Sequence, residues 1–129
     1  MDDWKDAVRI VRANAIDAQV HDPAGPGRAT AFDFAGTGSD RTWVGRVSMK
    51  PNAVTGGHHH GRHEVMVYLI AGRVELSWGP KLEHSAVIGP GDFAYFPPNV
   101  PHQERNLGTD ATAEFLVVRS DNERIAVPL

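Results

Sequence analysis

From Thr42 onward the chain is written in short runs whose polarity alternates or stays uniformly apolar. Thr42–Met49 alternates bulky residues with small or polar ones, Val65–Ile70 is apolar throughout, and Val74, Leu76 and Trp78 alternate with Arg73, Glu75 and Ser77. Ser85–Ile88, Phe93–Phe96 and Glu114–Arg119 continue the series. A period of two sends successive side chains to opposite faces of an extended strand, so each run predicts a strand with one face turned to a core. Turn residues separate the runs at Pro51-Asn52, Ala71-Gly72, Gly79-Pro80, Gly89-Pro90-Gly91 and Asn106-Leu107-Gly108. Short strands punctuated this way predict an all-β domain, a single antiparallel β-barrel or jelly roll. No helical period appears after Arg41. Trp4–Ala18 carries Val8, Ile10, Val11 and Ile16 among good helix formers and is read as an N-terminal strand or arm, while His21 to Asp40, with Pro23, Pro26 and several glycines, reads as loop. The expected organisation is one domain: an arm and loop over 1–40, a β core over 41–120 and a tail over 121–129.

Composition narrows the chemistry. The chain has 129 residues, 41% hydrophobic and 22% charged, which suits one globular domain. Its net charge of −3 offers no basic field for nucleic-acid phosphates, so no nucleic-acid partner is expected. The acidic start, Met1-Asp2-Asp3, is not followed by an apolar run, and no apolar stretch is long enough to span a bilayer. The expectation is a cytoplasmic protein with no membrane partner. Cysteine is absent, which excludes disulfides, thiolate nucleophiles and sulfur-ligated metals. Histidine is in surplus: His58, His59, His60 and His63 lie within six positions, out of seven in the chain. In an extended segment His58 and His60 share a face while His59 points away. A third imidazole, His102, follows the rigid Pro97-Pro98-Asn99-Val100-Pro101 turn at the start of another strand.

These two segments resemble the paired motifs of the cupin superfamily, small antiparallel β-barrels that commonly hold one divalent metal. In the first motif a glycine precedes His-x-His, and a Glu and a second glycine follow. Here Asn52 stands at the first glycine position, followed by His58, His60, Glu64 and Gly72. In the second motif Gly91, Pro97, His102 and Asn106 match in order and spacing, with Asn99 at the middle glycine. Both replacements are asparagine, the residue after glycine that best tolerates a left-handed backbone, so both turns should survive. The resemblance implies a metal held by His58, His60, Glu64 and His102, with a homodimer formed through sheet faces or exchange of the Val8, Ile10 and Val11 arm.

One spacing leaves an alternative open. Counting forward from His60 reaches Glu64, but counting back from Gly72 lands on Val65, which cannot coordinate. A bulge would bring Glu64 in as fourth ligand, its absence would leave a three-histidine site, and a further variant uses His63. Three neutral imidazoles would leave the full dipositive charge and favour a chelating anion such as an enolate, hydroxy acid or catecholate. Glu104 shares strand parity with His102 and, with Tyr95, is a candidate acid/base group; Tyr68 is a lesser one. Arg28 and Arg46 are candidates for a substrate carboxylate. Phe93, Tyr95, Val67, Leu69 and Trp78 are expected to line or pack the barrel. His21 and His84 are expected at the surface, and Asn106 as a turn residue. The resulting expectation is a mononuclear metal-dependent enzyme, first a non-haem Fe(II) dioxygenase-like oxidoreductase on a small oxygenated substrate. The alternatives are a redox-silent lyase, isomerase or hydrolase, or a non-catalytic metal- or ligand-binding module. Fe2+ is the first choice of metal, with Mn2+, Ni2+, Zn2+ and Cu2+ compatible with the same donors.

Overall fold

The computed structural model describes residues 4–16, 20–21, 27–33, 39, 41–120 and 125–129. Among them lie β1 (Val20–His21), β2 (Gly27–Phe32), β3 (Trp43–Met49), β4 (His58–His59), β5 (Val65–Ala71), β6 (Val74–Trp78), β7 (His84–Ile88), β8 (Phe93–Phe96), β9 (His102–Asn106), β10 (Ala113–Arg119) and β11 (Val127–Pro128). Every run identified above becomes a strand; β3, β5, β6 and β10 bury alternate residues, whereas β7 is exposed along its length up to the half-buried Ile88. The strands form two antiparallel sheets, in the orders β1-β2-β3-β10-β5-β8 and β11-β4-β9-β6-β7. The sheets do not close into one barrel; they form an open jelly roll. No helix among the described residues is long and apolar enough to cross a membrane.

One hydrophobic cluster joins the two sheets. Met49, Val65, Val67, Leu69, Phe96, Ala113 and Phe115 come from the first, and Val74 and Leu76 from the second. Leu69 and Val74 are wholly buried. Burial of each such side chain stabilises by about 1.5–3 kcal/mol, so this shared layer is what keeps the sheets together.

The structure departs from expectation in three places. Trp4–Ala18 does not form a strand where it is described: residues 4–16 hold two short 3-10 turns, Trp4–Asp6 and Ala13–Ala15, with Trp4, Val8 and Ile10 exposed. Too few of its apolar side chains find a surface to bury against. The region read as loop contains β1 and the six-residue β2. Gly27-Arg28-Ala29-Thr30-Ala31-Phe32 has the small side chains of a strand pressed close to its neighbour. A Cβ on Gly45 of β3 would lie 2.7 Å from the Ala29 carbonyl oxygen and collide with the Trp43 ring. Phe93 and Tyr95, expected inside, are 77% and 48% exposed. On β8 it is Ala94 and Phe96 that pair with the inward Val67 and Val65, so the residues between them face out.

The turns behave as their residues require. Asn52 and Asn99 take φ of 62° and 63° in place of the motif glycines. Asn106 is a clamp. Buried to 1% exposure, its Nδ2 donates to the carbonyls of Met49 (3.1 Å), Lys50 (3.1 Å) and Ala111 (3.0 Å), and its Oδ1 accepts from the Gly108 N–H at 2.9 Å. It thereby ties the end of β9 to the end of β3 and to the turn before β10. Asn106→Asp keeps shape and acceptor but turns a carboxylate oxygen toward those carbonyls. We expect a loss of about 3 kcal/mol in urea denaturation, the cost of an unsatisfied buried polar group beside like dipoles; a loss below about 1 kcal/mol would show that the clamp is dispensable.

Candidate metal centre

The site begins with strand pairing. His58 on β4 lies directly opposite His102 on β9, and Trp78 of β6 flanks His102 on the other side. His60 sits just past the end of β4. The ring centroids are 4.4 Å apart for His58–His102, 4.9 Å for His58–His60 and 5.0 Å for His60–His102. One ring nitrogen from each lies within 4.8 Å of the others.

Backbone carbonyls set which nitrogen that is. His58 Nδ1 bonds the Gly56 oxygen at 2.7 Å, His60 Nδ1 the Ile125 oxygen at 2.8 Å, and His102 Nδ1 the Val100 oxygen at 3.0 Å. A carbonyl only accepts, so each Nδ1 carries the hydrogen and each Nε2 keeps its lone pair. Phe96 stacks on His102, with centroids 4.1 Å apart and planes 21° from parallel, holding the ring in place. His102 Nε2 is buried and has no hydrogen-bond partner. Orphaned buried acceptors are costly, and three lone pairs facing one point suit a shared cation. These three histidines could therefore bind a metal ion.

Burial favours the form that a metal needs at His60 and His102. Burial lowers the His60 pKa to about 4 against the raising effect of its Ile125 bond, and the charges of His102, His58 and Arg119 lower it further. Burial also lowers that of His102, although Glu104 pulls the other way. Neutral imidazole is the ligating species.

His58 and His60 line a cavity of about 270 Å³. Trp43, Val47, Val65, Phe115 and Val117 supply apolar wall, and Arg28, Thr55, Glu104 and Arg119 the polar groups among its lining. Glu104 is turned inward, its side chain only 16% exposed, with Oε1 3.5 Å from His102 Nε2. Its Oε2 accepts from the Thr55 hydroxyl at 2.8 Å, and that hydroxyl accepts from the Glu104 N–H at 3.0 Å. Arg119 lies 4.6 Å over the Trp43 ring, a cation–π contact.

Other expected site residues lie elsewhere. Glu64 is exposed and accepts the Tyr95 hydroxyl at 3.2 Å, while Val65 faces the cavity. The register is the one counted back from Gly72, which sits at φ 102° where a Cβ would come within 2.9 Å of the Ala113 Cα. Glu64 is thus outside the histidine group, and Tyr95, paired with it, is outside the cavity. Desolvation and the Glu64 carboxylate raise the Tyr95 pKa, which makes its hydroxyl a weaker acid. His63 is buried, its N–H bonded to the His60 oxygen at 3.1 Å, and does not join the group. His59 accepts from the Gly61 N–H at 3.0 Å, away from it. His84 is exposed beside Glu83, Arg46 is exposed, and the side chain of His21 lies outside the described residues. Arg119, Thr55, Phe96 and the Ile125 carbonyl were not anticipated; a count of inward positions along β10 would have found Arg119, but no residue-type signal marks a carbonyl.

The lowered His60 pKa fixes a pH dependence. Between about 4 and 6.5 the unfolded chain binds a proton that the folded one does not, so this contribution to stability is complete above pH 6.5 and is lost as pH falls toward 4. The urea midpoint of metal-free protein should drop across that interval, and less steeply in His60→Asn. Parallel profiles for the two proteins would contradict the assignment.

Comparison with known proteins agrees with this architecture. A family model described as Cupin domain matches residues 45–119. The polyketide cyclase RemF from Streptomyces resistomycificus superposes with a TM-score of 0.78 at 25% identity, covering 95% of this chain and 85% of that one. An uncharacterised conserved protein with a double-stranded β-helix domain from Klebsiella pneumoniae gives 0.71 at 17% identity, covering 94% and 96%. An oxalate oxidase gives 0.70 at 20% identity, with 84% of this chain matching 57% of that one. A search of curated proteins returns no match. With more than half of its length inside the family model, and with two antiparallel sheets that set three histidines around one point, the chain belongs to the cupin family.

Proposed function

We propose that this chain is a mononuclear metal-dependent enzyme acting on a small, anionic, oxygen-bearing organic compound. The carrying observation is the grouping of His58, His60 and His102, with the His102 Nε2 buried without a partner, beside a cavity of about 270 Å³ that His58 and His60 line. A divalent ion held by His58, His60 and His102 would supply Lewis acidity and, as Fe2+, redox chemistry with dioxygen. The chain's own residues then select the substrate. Arg28 and Arg119 add positive charge along the wall, which suits an enolate, a hydroxy acid or a phenolate. Trp43, Val47 and Phe115 give its carbon skeleton a dry surface, which strengthens every polar contact made there.

The first reading is a non-haem Fe(II) dioxygenase-like reaction, in which the protein orients a chelating substrate and excludes bulk water. A second, redox-silent reading is favoured by Glu104. A carboxylate at the cavity wall, held at Oε2 by Thr55, can take or return a proton at Oε1 in a lyase, isomerase or cyclisation reaction. The similarity to RemF, named as a polyketide cyclase, supports the same direction.

Two measurements test this. Metal content after reconstitution should fall to background in His58→Ala and His102→Ala; unchanged content in both would remove the site. Oxygen consumption by Fe2+-loaded protein, followed with β-diketones, hydroxy acids and phenols, should accompany turnover under the first reading. Turnover that proceeds equally under argon and with Zn2+ identifies the second.

A further inference from the structure

We infer that Glu104 is the fourth protein donor to the metal, taking from the second motif the place that Glu64 vacates in the first. The inference rests on the three-histidine reading above. Two acceptors face each other across 3.5 Å: Glu104 Oε1 and His102 Nε2, whose ring hydrogen is committed to the Val100 carbonyl. A carboxylate and an imidazole lone pair at that separation repel unless a proton or a metal cation lies between them, and burial disfavours the protonated ring. Donors at about 2.0–2.2 Å from one ion, at angles between octahedral and tetrahedral, are themselves roughly 2.8–3.6 Å apart. The observed gap is close to that edge length.

The carboxylate is also held for the task. Thr55 Oγ1 occupies Oε2 at 2.8 Å and takes the Glu104 N–H at 3.0 Å, while the Thr55 N–H bonds the Glu104 carbonyl at 2.9 Å. One oxygen is thereby anchored and the other left beside His102 Nε2, 3.5 Å away, outside the three-histidine group itself, so that a short swing of the side chain would complete the donor set; an outer hydrogen bond of this kind orients a ligating carboxylate. Strand parity makes this available: His102 and Glu104 are two residues apart on β9 and share its inner face. Glu64, next to the inward Val65, shares no such face. Thr55 is a positioning residue that acts through Glu104.

Co2+ serves as the probe, since its visible absorption reports the donor set and its affinity can be measured by chelator competition, both without turnover. We expect Glu104→Gln to weaken Co2+ by at least roughly 10-fold and to shift the absorption, Thr55→Val to weaken it less, and Glu64→Gln to match the wild type. Glu104→Asp, which keeps the charge on a shorter arm, should recover part of the affinity if the carboxylate binds the ion. Wild-type affinity and an unchanged spectrum in Glu104→Gln, with binding lost in His102→Ala, overturn the inference and leave Glu104 a proton carrier. Wild-type affinity in His102→Ala overturns the three-histidine reading beneath it. Circular dichroism on each variant separates lost binding from lost folding, and Glu104→Asp still tests the donor role if Glu104→Gln does not fold.

Discussion

Three backbone carbonyls, those of Gly56, Val100 and Ile125, determine what the histidines of this protein can do. Each takes a ring hydrogen at Nδ1 and so turns an Nε2 lone pair toward the same point. Without those bonds an imidazole presents either nitrogen and rotates about its side-chain torsions, and a cluster of three would be a statistical accident of orientation. With them the site is formed before any ligand arrives, and its burial stores the cost as an unpartnered acceptor on His102. A folded cluster of this kind gains stability from whatever cation satisfies it, in proportion to the occupancy that the surroundings allow.

The jelly roll is what lets distant carbonyls reach. Ile125 is sixty-five positions from His60, yet β11 pairs with β4, and the Leu129 N–H bonds the Gly57 oxygen at 3.1 Å. The last residues of the chain therefore close the rim of the cavity. At the other end, Asn106 ties β9 to the ends of its neighbours and fixes how far along the strand His102 and Glu104 stand. A slip of one residue on β9 would exchange them for Gln103 and Arg105. Clamp and site thus belong to the same strand, one at each end.

How much of this is legible in the sequence follows from how local each cause is. His58, His60 and His102 could be read from spacing, because alternation along a strand and the rigidity of a proline turn act within a few residues. Asn52 and Asn99 could be read for the same reason, their left-handed backbone being a property of one residue. The choice between Glu64 and Val65 could not. It depends on Gly72 packing against Ala113 forty-one positions away, a contact that no window around residue 64 contains. β2 was hidden because its alanines and threonine carry little apolar signal, and its closeness to β3 rests on the missing side chain of Gly45. The carbonyl acceptors leave no trace in residue type at all.

Moving the carboxylate from Glu64 to the inner face of β9 changes more than a name in the donor set. Glu64 outside the sheet, paired with Tyr95, contributes nothing to the potential in the cavity beyond a screened surface charge. Glu104 inside it adds a negative charge in a poorly solvated place, in a cavity lining that also holds Arg28 and Arg119. A cation at the histidines would then be partly neutralised by Glu104, while Arg119 is near enough for its charge to act on His60. The apolar surface of Trp43 and Phe115 in the same lining would suit carbon better than water, so under the proposed reading a bound compound is selected by where its few charged oxygens fall among Glu104, Arg28 and Arg119.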